Sequence, residues 1–132
     1  MRLRSAAVAA ITLSGLLLGA GTSWAASTET EMSNGTLYYE ALDGSEVTGN
    51  STLFYGATKY KKTGGSQVTV QLGQETVEGS WYSGNKSVSA GQTVSHSFGG
   101  QSKAKYAYNC KATGKMKASN GGPWYTPTVH FC

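Results

Sequence analysis

Gln67-Val68-Thr69-Val70-Gln71-Leu72 is the stretch that decides the fold. Polar and apolar residues alternate strictly, so an extended chain sends Val68, Val70 and Leu72 to one face and the polar residues to the other. A helix would scatter them around its axis. The segment therefore reads as a strand with one face in a core. The same period recurs in Thr93 to Phe98, where Val94, His96 and Phe98 share a face. It recurs again in Ala104, Tyr106, Tyr108 and Cys110, opposite Lys103, Lys105, Asn109 and Lys111. Runs rich in Tyr, Val and Thr predict further strands over 36–42, 53–60, 76–82 and 125–131.

Turn signals separate these runs: Asp43-Gly44, Thr48-Gly49-Asn50, Gly64-Gly65, Gly73, Ser83-Gly84-Asn85, Ala90-Gly91, Gly99-Gly100, Gly114 and Asn120-Gly121-Gly122. Beyond residue 25 no segment carries a convincing 3.6-residue apolar stripe. Seven or eight short strands spaced by about ten residues predict an all-β fold, a small antiparallel β-sandwich or barrel. Pro127 lacks a ladder donor, which puts the last strand at an edge or at a bulge.

Met1 to Ala25 reads as a cleaved secretion signal. Arg2 and Arg4 start it, Ala6 to Leu18 is mostly apolar, and Ser23-Trp24-Ala25 supplies small residues at the positions a signal peptidase reads. The apolar run is too short to anchor the chain in a bilayer, and no later segment is apolar enough to span one. The expected product is a secreted, extracellular protein. Its first residues, 26–35, contain Met32 as their one large apolar side chain and read as a mobile acidic arm; residues 36–132 form a single β domain.

The core of that domain has to be aromatic. Beyond residue 25 there is no Ile, only four Leu and seven Val, whereas all eight Tyr, all three Phe and two of the three Trp lie there. Tyrosine buries a large ring while keeping a polar rim. Cys110 and Cys132 are the only cysteines, and in an oxidising compartment they predict one disulfide. Its loop is worth about 3 kcal/mol on chain-entropy grounds.

Charge is sorted along the chain. From Ala26 to Asn50 there are five acids and no base, and from Gly79 to Cys132 six lysines and no acid. Both arginines lie in the leader and supply two of the formal +4 charges. Two uses are open. The acidic and basic segments could neutralise one another inside the fold through cross-strand pairs. Alternatively, Lys103, Lys105 and Lys111 offer a face to an acidic partner while Glu29 and Glu31 act from the arm. Without arginine beyond the leader, bidentate guanine and phosphate contacts are missing, which argues against nucleic acid.

Catalytic chemistry is not expected. His96 and His130 are the only groups of the chain that ordinarily titrate near neutral pH, and strand alternation turns Ser95 and Ser97 away from His96. Glu75 and Glu78 fall on opposite faces of a strand, Asp43 is explained by its turn, and no metal-ligand spacing or cofactor motif appears. The chain reads as a non-enzymatic protein with no cofactor and no metal.

The plan of a leader, a small Gly/Tyr/Thr-rich β domain and no catalytic set resembles small proteins secreted by Gram-positive bacteria, among them bacteriocins of the lactococcin type and tendamistat-like amylase inhibitors. The inhibitors expose a Trp-Arg-Tyr triplet and carry two disulfides; this chain has Ser80-Trp81-Tyr82 and one possible bridge. The expected function is a secreted binding protein, a toxin or toxin-assembly component in antagonism between bacteria. The alternative is an inhibitor of a secreted hydrolase presenting Trp81 to Asn85. Expected partners are another secreted protein or a cell-envelope component. Tyr82 and Tyr125 are the aromatic contact candidates.

Overall fold

The computed structural model describes residues 25–132. The leader, apart from Ala25, lies outside the described residues. Ten strands follow in order: β1 Ala25–Met32, β2 Gly35–Asp43, β3 Leu53–Lys62, β4 Val68–Thr76, β5 Gly79–Tyr82, β6 Lys86–Val88, β7 Thr93–Ser102, β8 Lys111–Ala118, β9 Gly121–Tyr125 and β10 Val129–His130. One helical turn, α1 Lys103–Tyr106, joins β7 to β8. All pairings are antiparallel.

The strands form two sheets, as the sequence predicts for an all-β sandwich. Sheet A has the order β1-β2-β3-β7. In sheet B, β4 and β8 are central; β5 and β6 share the lane beyond β4, and β9 and β10 share the lane beyond β8. Ten strands thus occupy eight lanes, the upper end of the expected number. The sheets meet chiefly where β2 and β3 approach β8 and β4.

The core has two apolar parts. One gathers Tyr39, Ala41, Phe54, Ala112, Val129 and Phe131, with the Phe54 and Phe131 rings stacked at 4.9 Å. The other gathers Leu37, Tyr60, Val70, Leu72, Val88 and Met116. A polar seam runs between the sheets: the Tyr39 hydroxyl donates to Gln74 Oε1 at 2.6 Å, and Gln74 Nε2 donates to Gln101 Oε1 at 2.6 Å. Gly56 makes room for it. A Cβ there would stand 1.8 Å from Gln74 Oε1 and 2.6 Å from the Tyr39 hydroxyl.

Several local expectations are corrected. Gly99-Gly100 lies within β7 and not at a turn between strands. Residues 26–35 are no loose arm, because Ala25–Met32 pairs along its whole length with β2 as an edge strand. The strand expected over Ala104 to Cys110 is instead α1 and a turn. Ser102 caps α1 by accepting from the Lys105 amide, which leaves Tyr108 exposed and turns Tyr106 toward Trp81. The strand that follows, β8, was not anticipated, because its inward positions are Ala112, Gly114 and Met116. Gly114, an expected turn, lies in mid-strand against the Tyr39 ring, where a Cβ would come within 2.4 Å of Tyr39 Cβ. Finally, β4 runs on past Gly73 to Thr76, so the 76–82 segment divides at Val77 and Glu78.

The last strand does lie at an edge, broken between β9 and β10 around Pro127. Cys110 and Cys132 form the expected disulfide, with Cα atoms 5.5 Å apart. Phe131 N donates to the Cys110 carbonyl beside it.

Candidate docking face

Alternation in sheet B sets what its outer face carries. Because Val70, Leu72 and Met116 point inward, Gln71, Gly73, Glu75, Lys111, Lys115 and Lys117 point outward. The pairings Lys115↔Tyr125, Lys115↔Gly73 and Gly73↔Tyr82 then align Tyr125, Lys115, Gly73 and Tyr82 in one row across four lanes. Gly73 has no side chain to separate its neighbours; a Cβ there would meet Lys115 Cγ and Tyr82 Cδ1 at 2.8 Å.

Lys115 leans into that gap. Its ammonium lies 4.9 Å from the Tyr82 ring centre and 5.5 Å from that of Tyr125, and it donates to Glu75 Oε1 at 2.8 Å and Ser80 Oγ at 2.6 Å. Burial works to lower the Lys115 pKa, but the hydrogen bond to the Glu75 carboxylate and the charge around it outweigh burial and raise it above the ordinary lysine value. Lys115 is therefore a fixed cation. Lys117 places its ammonium 4.5 Å over the same Tyr82 ring. Such ring–cation contacts are worth about 0.5–1 kcal/mol where exposed and more where water is excluded. Lys111, at the start of the strand, is exposed on the same face. Three lysines against the one carboxylate of Glu75 leave the central part of this face positive.

The site residues expected from sequence separate into three places. Tyr82 and Tyr125 do come together, Tyr125 exposed and Tyr82 half-covered by lysine. Lys103, Lys105 and Lys111 do not form one face. Lys103 is bonded to Asp43 at 2.7 Å with both side chains largely covered. Burial raises the Asp43 carboxyl, but the Lys103 ammonium and Ser45 outweigh that and hold it below the usual range. Lys105, exposed on α1, lies 5.1 Å over the Tyr106 ring. Glu29 and Glu31 belong to the outer face of sheet A, on β1. Register places Glu29 beside Tyr38 and Tyr38 beside Lys59, whose ammonium lies 4.7 Å over the Tyr38 ring.

On sheet A the charges of Glu40 and Glu29 act on Lys59, and Lys103 pairs with Asp43, while Lys111, Lys115 and Lys117 lie on the outer face of sheet B. Sequence reasoning missed Lys115, Lys117, Glu75 and Gly73. The signal for the two lysines was present in Lys111-x-x-x-Lys115-x-Lys117, whose even spacing puts all three on one side once β8 is recognised as a strand.

His96 and His130 stand on different sheets. His96 packs edge-on against Phe98 at 4.8 Å, and its pKa is lowered by burial and then by Lys86. Among the described residues no group of three or more His, Cys, Asp or Glu side chains is placed to hold a metal ion. None of their helices is long and apolar enough to cross a membrane.

The fold and this face define an antiparallel β-sandwich with a lysine–tyrosine sheet surface. Compared with protein families, characterised proteins and solved structures, the chain has no match.

Proposed function

We propose that this chain is a secreted, non-enzymatic binding protein that docks an anionic cell-envelope polymer through the outer face of sheet B, in the role of a toxin or toxin component acting between bacteria. The observation that supports this reading is the row Tyr125–Lys115–Gly73–Tyr82 with Lys117 and Lys111 beside it. Lys115 is buried and pinned by Glu75 and Ser80, so it holds the Tyr82 and Tyr125 rings in place and they need little ordering on binding. Lys111 and Lys117 supply the unneutralised charge. The exposed Tyr125 adds a rigid contact surface.

Polyglycerol phosphate is a suitable probe. Binding is expected at low salt, weakening as salt screens the exposed charges. The double variant Lys111→Glu/Lys117→Glu should weaken it by about tenfold or more while lowering the melting temperature by only a few degrees, through loss of the exposed Lys117–Tyr82 contact. No binding at low ionic strength, or equal binding by the double variant, would reject the reading.

The inhibitor alternative has less support. Trp81, the anchor it needs, is half-buried and packs edge-on against Tyr106 at 5.3 Å. Ser83 is buried and accepts from the Leu72 amide through its hydroxyl.

A further inference from the structure

At one end of the sandwich the two sheets part around a cavity of about 270 Å³. Sheet A contributes Met32, Tyr60 and Lys62; sheet B contributes Met116 and Trp124, among others. The wall mixes apolar side chains with polar ones, Thr30, Glu31, Asn34 and Asn120 among them. Lys62 is its buried cation. It alternates with Thr58 and Tyr60 on the inward side of β3 and is only 2% exposed.

The Lys62 ammonium donates to the Gly64 carbonyl at 2.5 Å. Among the described residues the ion pairs are Lys103–Asp43 and Lys115–Glu75, and Lys62 belongs to neither. Glu31 also lines the cavity, but it is exposed and its carboxylate accepts from the Thr36 hydroxyl. An ammonium has three donors, and a buried charge without a counter-charge is costly. Gly65, at φ 76°, lets the Lys62 ammonium and the Asn34 amide converge; a Cβ there would lie 3.2 Å from Lys62 Nζ and 2.9 Å from Asn34 Nδ2. A cavity walled in part by apolar side chains, with a buried cation and a neighbouring amide at one side, has the polarity to take a carboxylate head and an apolar body.

We propose that this cavity binds a small amphipathic carboxylate, of the medium-chain fatty-acid kind, with its carboxylate on Lys62 and its hydrocarbon between the sheets against Met116 and Trp124. The volume equals that of about nine liquid waters, which limits the ligand to roughly ten heavy atoms. The site is separate from the lysine–tyrosine face, since Tyr60, Lys62, Val70 and Met116 point inward from their strands.

Octanoate and 1-octanol, which share an apolar body, are the probes, read by amide and indole NMR shifts on the full-length secreted chain. Octanoate should saturate the Trp124 indole and Asn34 signals, and octanol should bind at least about tenfold more weakly. Lys62→Met should remove that preference while still admitting octanol. Because Lys62→Met could unfold the chain, the octanoate–octanol ratio on the unaltered protein is an independent test. The proposal fails if octanoate leaves the Trp124 signal unmoved, if octanol binds equally well, or if octanoate shifts only the Lys115–Lys117 face. It also fails if folded Lys62→Met keeps the preference.

Discussion

Two glycines carry the centre of this sandwich. Gly56 leaves the space that Gln74 and the Tyr39 hydroxyl use to hydrogen-bond across the sheets, and Gly114 lets the Tyr39 ring lie against β8. Neither has a positive φ, so the requirement is room rather than backbone freedom. Gly56→Ala and Gly114→Ala should each destabilise the protein by about 1–3 kcal/mol through overpacking, a fall of roughly 5–20 °C in melting temperature. Gly84→Ala, in open space, is the control. Glu40 makes a second prediction. Burial pushes its pKa from 4.5 up to about 7, with Lys59 acting in the opposite direction. Between those two values the native state holds the proton more firmly than the unfolded chain, so stability falls as pH rises through that window. Glu40→Gln should therefore raise the melting temperature at about pH 8 and have little effect near pH 4. The gain should be smaller than the full shift implies, because Lys59 loses its partner. A thermal melt series across pH measures both. At this scale the sequence was only partly legible. Alternation puts Tyr82 on the face opposite Trp81, but the approach of Lys115 to the Tyr82 ring could not be read, because it depends on the empty place at Gly73, forty-odd residues away in sequence.

The elements that were readable are those whose inward side chains are large. β2, β3 and β4 carry Leu37, Tyr39, Phe54, Tyr60, Val70 and Leu72 on one side, and alternation exposes them directly. β8 carries Ala and Gly inward, so its pattern was silent even though it is a central strand. Ala104 to Cys110 had the right period, but the Ser102 cap favoured a helical turn. β1 was missed for a third reason: an edge strand on a two-layer fold needs few large apolar residues, and its stability comes from the ladder to β2. Removing residues 26–32 should therefore lower the melting temperature and open the cavity on the side that Met32 closes, contrary to what loss of a loose arm would do. Circular dichroism and thermal melting of the truncated chain test this. β10 is short and is held at its end by the Cys110–Cys132 bridge, which spans 22 residues. Cys132→Ser should cost about 3 kcal/mol, or roughly 10 °C or more.

Taken whole, the molecule presents two unlike faces. Sheet A mixes Glu29, Glu40, Lys59 and Lys61 outward, whereas β8 gives sheet B three lysines. The sorted charges were visible in the sequence, but which acid met which base was decided by the assignment of strands to sheets, and that required knowing where β8 began. The overall class was legible because turn glycines and period-two runs repeat along the chain. The inter-sheet cavity was not, since Lys62 and Trp124 meet there across sixty residues of chain.

The divided outer lanes of sheet B have a consequence in time. β4 and β8 are bonded on both sides, whereas β5, β6, β9 and β10 are short and each has a single neighbouring strand. Local opening should therefore start in the outer lanes, and their amides should exchange with deuterium well before those of β4 and β8. Tyr82 and Tyr125 ride on β5 and β9; Gly73 and Lys115 ride on the central pair. An incoming polymer would meet a stiff floor that carries Lys111 and Lys117, between two aromatic rims that breathe faster than the floor does.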